Sequence, residues 1–223
     1  MGLSTTDLGT GGSGMQKTIA PGNHVLKINS IVLEDFQYID GAKHLMLHVE
    51  TEPIDGFEGF LLDVNDESKG RYSGQIGRIK ASQYAFADGV TKSGIKIQRD
   101  KSILIFLQSL SKAFDFNDWF IKEDGKHATI EAFVDALNKA KPFKDKFVDF
   151  CISGKEYVGK TGYTNYDMWL PKAENKTYAY GANVMPYDET KHLKKIEVKE
   201  VTNFGADDDF TVPKKSSSDF NLD

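Results

Sequence analysis

The stretch that decides the fold is residues 26–50, LKINSIVLEDFQYIDGAKHLMLHVE. Its beginning repeats apolar residues at even spacing, as in Leu26 and Ile28, and its end alternates them over residues 45–50. A period of two predicts β-strands, because successive side chains of a strand point to opposite faces. Asp40-Gly41, between the two runs, is a turn signal. The stretch therefore predicts a β-hairpin.

The strand pattern continues beyond this hairpin. Residues 57–64 predict a third strand, and residues 71–86 predict a further long extended stretch. Alternation returns over residues 147–153 and again over 166–170, and a last strand is predicted over 194–201. Few residues separate the early strands, so antiparallel pairing is expected.

Between these strands, residues 100–140 change to helical spacing. Apolar residues from 103 to 114 recur three and four positions apart, and Asp100 just ahead is the predicted N-cap. A second helix is predicted after Thr129, and Pro142 prevents its continuation.

The order of these elements predicts a mainly β chain with a helical insert between strands three and four. This is the arrangement of the OB-fold, a five-stranded Greek-key β-barrel whose face and loops bind oligonucleotides. An α+β sandwich would give a similar pattern and stays open as an alternative.

The two ends differ in composition from residues 18–202, which are expected to form one domain. Residues 1–17 are rich in glycine, serine and threonine and predict a flexible leader. Residues 203–223 combine acids with serines and predict a disordered acidic tail. No apolar run approaches the ~20 residues of a membrane helix, and no secretory signal is expected. Cys151 is the single cysteine, which suits a reducing cytoplasm.

Charge is distributed unevenly along the chain, although the net charge is only −5. Residues 31–67 carry ten acids against one lysine, and residues 69–101 carry eight bases against two acids. Adjacent segments of opposite sign predict one surface that faces anions and one that repels them. The alternative is salt bridging between neighbouring strands.

The basic segment contains the clearest functional pattern. If residues 71–86 formed one extended strand, its even positions would share a face that mixes aromatic rings with cations. Rings stack on bases, worth ~1–3 kcal/mol per base, and cations neutralise phosphates. The combination predicts sequence-nonspecific binding of single strands. The alternative assigns these rings to the core.

Two other stretches match part of a known binding motif but lack features that the motif requires. Residues 154–161 fit the phosphate-binding pattern G-x-x-x-x-G-K-[ST], but residues 162–166 favour β structure where a helix should begin. A β-turn region with two lysines is the better interpretation. Residues 63–74 lack the glycine and glutamate of a calcium loop. Neither a cofactor nor a metal is expected, and the chain is not expected to be an enzyme.

Three stretches resemble the single-stranded DNA-binding proteins of tailed bacteriophages, in particular those of the crAss-like phages. They are FADGVTKSGIKIQRD at 86–100 followed by ILIFL at 103–107, GRYSGQIGR at 70–78, and GYTNYD at 162–167. The resemblance covers roughly residues 18–172. It implies an OB-fold with a helical insert, an acidic C-terminal tail, and a role in phage DNA replication, recombination and repair. We therefore expect the protein in the cytoplasm of a bacterial host.

The residues expected to contact DNA are cations for the phosphates and rings for the bases. The cations are Lys69, Arg71, Arg78, Lys80, Lys92, Lys96, Arg99, Lys155 and Lys160. The rings are Tyr72, Tyr84, Phe86, Tyr163, Tyr166 and Trp169. No catalytic residue is expected. The second hypothesis is a single-strand annealing or recombination protein working in oligomeric assemblies, and the third is a nuclease or NTPase. A homo-oligomer is compatible with the first two.

The tail is expected to dock onto replication proteins such as a polymerase, primase or helicase. It places apolar anchors among acids, which suits short-motif docking onto a basic pocket. Its docking residues are Asp207, Asp208, Asp209, Phe210, Asp219, Phe220 and Leu222. The alternative is a solubilising tail without a partner.

Overall fold

The structure is a computed structural model that describes residues 18–63, 66–159 and 163–196, without the side chains of residues 62–69 and 71. The predicted leader and tail, most of the strand predicted over 194–201, and Lys160 lie outside the described residues. The strands are β1 (Gly22–Asp35), β2 (Lys43–Thr51), β3 (Phe60–Asp63), β4 (Asp66–Tyr72), β5 (Ile76–Lys80), β6 (Gly89–Val90), β7 (Lys96–Ile97), β8 (Val148–Val158), β9 (Thr164–Trp169) and β10 (Leu193–Lys194). The helices are α1 (Arg99–Ala113), α2 (Asn117–Glu123), α3 (Ile130–Ala140) and α4 (Glu189–His192).

The predicted hairpin is confirmed. β1 pairs antiparallel with β2, and Leu33 lies opposite Leu45 in the register. Between them Gly41 adopts a left-handed φ of 69°, which glycine tolerates without steric cost. A register shift between Ile28 and Ser30 bulges β1 and changes which of its residues face inward.

Five of the described strands form a ring within a mixed sheet. The order is β1-β2-β5-β9-β8, and β8 pairs again with β1. β5 and β9 run parallel and the other four pairings in the ring are antiparallel. β10 adds to β8 outside the ring. The three longer helices come between β5 and β8, which are the third and fourth strands of the ring in chain order.

The expectation of one extended strand over residues 71–86 is wrong. Gly74 takes a left-handed φ of 63° and separates β4 from β5. β4 pairs with β3, the counterpart of the predicted strand 57–64, in a two-stranded sheet outside the ring. β5 ends at Lys80, and residues 81–88 follow without regular strand structure.

Both predicted helices are present, as α1 and α3, and α2 between them was not predicted. Thr129 caps α3 as expected, its hydroxyl oxygen accepting a hydrogen bond from the Ala132 N–H at 3.2 Å. The Asp100 cap is wrong, because α1 begins after Gln98 and Asp100 lies in its first turn. None of the helices in the described ranges is long and apolar enough to cross a membrane.

The core lies between the inner side of the ring and the helical insert. Leu26, Leu47 and Ile79 of the ring pack with Leu107 of α1 in one buried cluster. Asn138 of α3 ties the insert to β1: its side-chain oxygen accepts from the Ile31 N–H at 2.9 Å and its side-chain nitrogen donates to the Ile31 carbonyl at 2.6 Å. This contact lies just after the bulge of β1, within the part of the strand that pairs with β2.

Residues 178–194, which we call the strap, pack along β8, starting with a bridge between Tyr180 and Phe150. The Cys151 N–H donates to the Ala179 carbonyl at 2.8 Å, and the rings of Phe150 and Tyr180 lie 5.6 Å apart. Asn23 of β1 donates to the Met185 carbonyl at 3.0 Å and so holds the middle of the strap. The Cys151 Sγ, on the side of β8 away from the core, lies 3.9 Å from the His192 Nδ1, so the strap covers part of the outer face of the ring.

Candidate functional site

An open groove of about 780 Å³ lies on the ring, lined by side chains of β1, β2, β5, β8 and β9. It lies where β5 and β9 diverge: in the described residues these strands share one partner pair, Lys80 and Trp169. The residues ahead of that pair on each strand therefore leave a gap. The lining residues with side chains suited to a ligand are Glu34, His48, Ile76, Arg78, Lys80, Tyr157, Tyr166 and Asp167.

β5 forms the floor of this groove. Its side chains alternate, so Ile79 is buried in the core while Ile76, Arg78 and Lys80 line the groove. Gly77 is required between them, because a Cβ there would lie 2.3 Å from the Ile19 side chain that closes the ring beneath. The even-numbered parity expected from the sequence therefore holds within β5.

Both cations on the groove floor are paired with acids, one from β9 next to β5 and one from β1, which lies beyond β2. The Arg78 guanidinium donates to the Glu34 carboxylate of β1, and the Lys80 ammonium lies 2.8 Å from the Asp167 carboxylate of β9. Among the described residues that line the groove, these four carry the formal charges, so those charges cancel. The salt-bridge alternative raised by the charge pattern thus applies to the groove itself.

Two tyrosines line the groove. Tyr157 of β8 is 49% exposed, and Tyr166 of β9 is half-buried and packs partly against the core. Burial raises the pKa of the Tyr166 hydroxyl above its usual value, and the nearby Glu156 carboxylate adds to this effect. Tyr157 was not among the predicted site residues, because residues 154–158 were interpreted as a turn and not as the continuation of β8.

A buried histidine nitrogen adds a polar group to the groove lining. His48 of β2 lies opposite Arg78 in the register, and its Nε2 has no hydrogen-bond partner within the described residues. A buried polar atom without a partner costs free energy, so a ligand that supplies a partner gains by it. Nearby, burial and the Lys80 charge lower the pKa of the His44 imidazole, which keeps this side chain neutral at pH 7.

The other residues predicted from the basic segment lie outside the groove lining. Tyr84 is 67% exposed beyond the end of β5, and Lys92 and Lys96 are exposed on the β6–β7 hairpin. Arg99 donates to the Gly41 carbonyl at 2.7 Å and joins α1 to the loop between β1 and β2.

The two remaining rings of that segment make internal contacts. Phe86 packs partly against the core, and Tyr72 lies 5.3 Å from the Phe60 ring. The side chains of Lys69 and Arg71 are outside the described part. Of the rings and cations expected on one face, the structure places Arg78 and Lys80 at the groove.

The predicted residues of β8 and β9 are also separated. Lys155 is exposed and lies opposite Asp167 in the register, and Tyr163 is exposed just ahead of β9. Trp169 is 8% exposed, and the Lys194 ammonium of β10 lies 5.7 Å from its ring centroid. The strap therefore covers this ring.

The residues that match the phosphate-binding motif begin in a strand and not in a loop. Residues 154–158 belong to β8, and the described residues that follow form β9 where such a motif needs a helix. Cys151 lies under the strap, where burial raises the pKa of its thiol to about 11. Across the described ranges, no group of three or more histidine, cysteine or acidic side chains is arranged to hold a metal ion.

Comparisons of the chain with protein-family models, with curated proteins and with solved structures gave no match.

Proposed function

We propose that this protein binds single-stranded DNA with little sequence preference, and that the open groove holds the strand. In this role it coats and protects single strands during phage DNA replication, recombination and repair, in the cytoplasm of the bacterial host. It performs no chemistry of its own.

The strand order supports an OB-fold as the framework for this function. The support comes from a ring of five strands with its helical insert between the third and fourth ring strands, which is the order expected of an OB-fold. OB-folds bind oligonucleotides on strands two and three and on the loops joining strands one to two and four to five. In this chain strands two and three are β2 and β5, and the groove lies over β5.

The observation that carries the proposal is the pairing of rings with cations in that groove. Arg78 and Lys80 supply positive charge for two phosphates, and Tyr157 and Tyr166 supply surfaces for unstacked bases. Ile76 is exposed beside them and offers an apolar contact to a base. Rings can stack only on bases that are free of a duplex, which favours single strands.

A fluorescence titration with oligothymidine, repeated with a duplex of equal length at several salt concentrations, tests this function. We expect tight binding of the single strand, weak binding of the duplex, and a log–log salt slope of about −0.7 for each phosphate held. Equal affinity for the two DNA forms, or no binding, would contradict the proposal. A large rate enhancement of complementary-strand annealing would favour the annealing hypothesis instead.

A further inference from the structure

The two acids of the groove occupy the positions that DNA phosphates would need. Glu34 on β1 and Asp167 on β9 each hold one cation of β5, from opposite sides of the groove floor. A carboxylate and a phosphate are both anionic hydrogen-bond acceptors, and both bind guanidinium and ammonium groups in the same way. A strand lying on β5 therefore meets cations that are already occupied.

We propose that Glu34 and Asp167 are internal counterions, which hold Arg78 and Lys80 in the free protein and are exchanged for phosphates when single-stranded DNA binds. This inference rests on the proposed function and assigns its regulation to two residues of the same groove. The acids set the affinity below what the two cations alone would provide.

The exposure of the pairs makes such an exchange feasible. The Arg78 and Glu34 side chains are 58% and 41% exposed, and those of Lys80 and Asp167 are 21% and 47% exposed. Exposed ion pairs contribute little to stability, and water solvates a carboxylate that loses its partner. A deeply buried pair would resist exchange, because separation would leave an unpaired charge in the core.

The exchange has a consequence for salt dependence. In the wild-type protein a released carboxylate attracts mobile cations, which offsets part of the cation release from DNA. Without the acid, the free arginine or lysine attracts mobile anions, and these are also released on binding. Removing either acid should therefore tighten binding at low salt and make the salt slope steeper.

The test uses Glu34→Gln and Asp167→Asn in the full-length protein, with oligothymidine as the probe. Asp115→Asn is the matched control: it makes the same change in net charge at an exposed ion pair with Lys146, 3.8 Å long, in the turn between α1 and α2 and outside the groove lining. We expect each groove variant to bind about two- to fivefold more tightly at low salt, with the gain shrinking as salt rises. The control should bind as the wild type does.

A double-mutant cycle tests the exchange itself. If Glu34 acts by occupying Arg78, Glu34→Gln should gain nothing in an Arg78→Ala background. A gain that persists there would overturn the exchange and show long-range repulsion of the strand. Thermal unfolding midpoints verify that every variant is folded.

The failure of this inference differs from the failure of the proposed function. A wild-type protein that does not bind oligothymidine would overturn both. A wild-type protein that binds, together with groove variants that bind no more tightly, would overturn the inference alone.

Discussion

The outer faces of β5 and β8 belong to the same ring but meet different surroundings. On β8, Cys151 and Ser153 are buried, and the Cys151 Sγ lies 3.9 Å from the His192 Nδ1 of the strap. On β5, Arg78 and Lys80 line a groove that is open to solvent. The covered face carries small, weakly polar side chains that water solvates poorly, and the open face carries ion pairs that water tolerates well.

This difference indicates which part of the ring is free to bind a ligand. A surface that the chain itself covers contributes to stability, so substitutions there should change unfolding and leave DNA binding intact. An open surface whose ion pairs add little to stability can change partners, so substitutions there should change binding and leave unfolding intact. Each of the following predictions tests that separation.

The largest effect is expected from Trp169→Ala on the covered face. Truncating a buried aromatic side chain leaves a cavity and typically costs about 3–5 kcal/mol of unfolding free energy. Denaturant unfolding measures this loss, and oligothymidine binding should persist wherever the variant is folded. An unchanged unfolding midpoint together with weaker DNA binding would make Trp169 a stacking residue and move the groove boundary.

The alkylation rate of the Cys151 thiol should show whether the strap covers β8. Burial raises the pKa of this thiol to about 11 from 9.0, so the reactive thiolate is depleted in the folded protein at pH 8. Alkylation should be about a hundredfold slower in buffer than in denaturant, and the rate in buffer should rise with pH until the thiol ionises. Equal rates in buffer and denaturant would mean that the strap does not cover β8 in solution.

On the open face, Tyr157→Ala should weaken oligothymidine binding by about 1–3 kcal/mol, because one stacked base loses its partner. The salt slope should stay the same, since no phosphate contact is removed. Tyr84→Ala is the matched control, because Tyr84 is also exposed but lies outside the groove lining. If the control loses affinity and Tyr157→Ala does not, the strand follows the basic segment and not the groove.

Arg78→Ala and Lys80→Ala should each weaken binding roughly three- to tenfold at low salt and flatten the salt slope by less than about 0.7, because the released carboxylate offsets part of the cation release. Arg78→Ala breaks an exposed ion pair, so its unfolding free energy should move by less than about 0.5 kcal/mol; Lys80→Ala breaks a partly buried pair and should move it by up to about 1 kcal/mol. Binding isotherms at three salt concentrations give both quantities. An unchanged slope would remove these cations from the phosphate contacts.

The smallest effect is expected from removing residues 204–223. This segment is acidic, and the described chain ends at Ile196, whose N–H donates to the Glu156 side chain on β8 at 3.1 Å. A polyanion tethered to the protein competes weakly with DNA, so truncation should tighten binding about twofold at low salt and not at high salt. Asp207, Asp208 and Asp209 changed together to asparagine should reproduce much of this gain. Equal affinities would leave partner docking as the proposed role of the tail.

The parts of the fold that the sequence predicted depend on local patterns. The alternation of residues 45–50 and the helical spacing after Ile103 are visible in short windows, and β2 and α1 follow them. The division of residues 71–86 depends on which strands pair: β4 pairs with β3 and β5 with β2, and no local pattern encodes those choices. The sequence did not predict the strap, because its elements are too short to show a sustained hydrophobic periodicity.

For the candidate site too, the sequence predicted what depends on a local pattern and not what depends on strand pairing. Parity within one strand was enough to place Arg78 and Lys80 on a common face. Their partners Glu34 and Asp167 come from strands that are distant in sequence, so pairing could be proposed from the charge pattern but not assigned to residues. Lys194 begins the strand predicted over 194–201, but the sequence does not show that its ammonium lies over the Trp169 ring.

The central claim is that a single strand lies in the groove on the open face. Photo-cross-linking with an oligothymidine that carries 5-iodouracil at single positions, followed by mass spectrometry of the peptides, tests it most directly. We predict cross-links to Tyr157 and Tyr166, and none to Trp169 under the strap. Cross-links concentrated on Tyr84 and the β6–β7 hairpin, with Tyr157 and Tyr166 unmodified, would contradict the account.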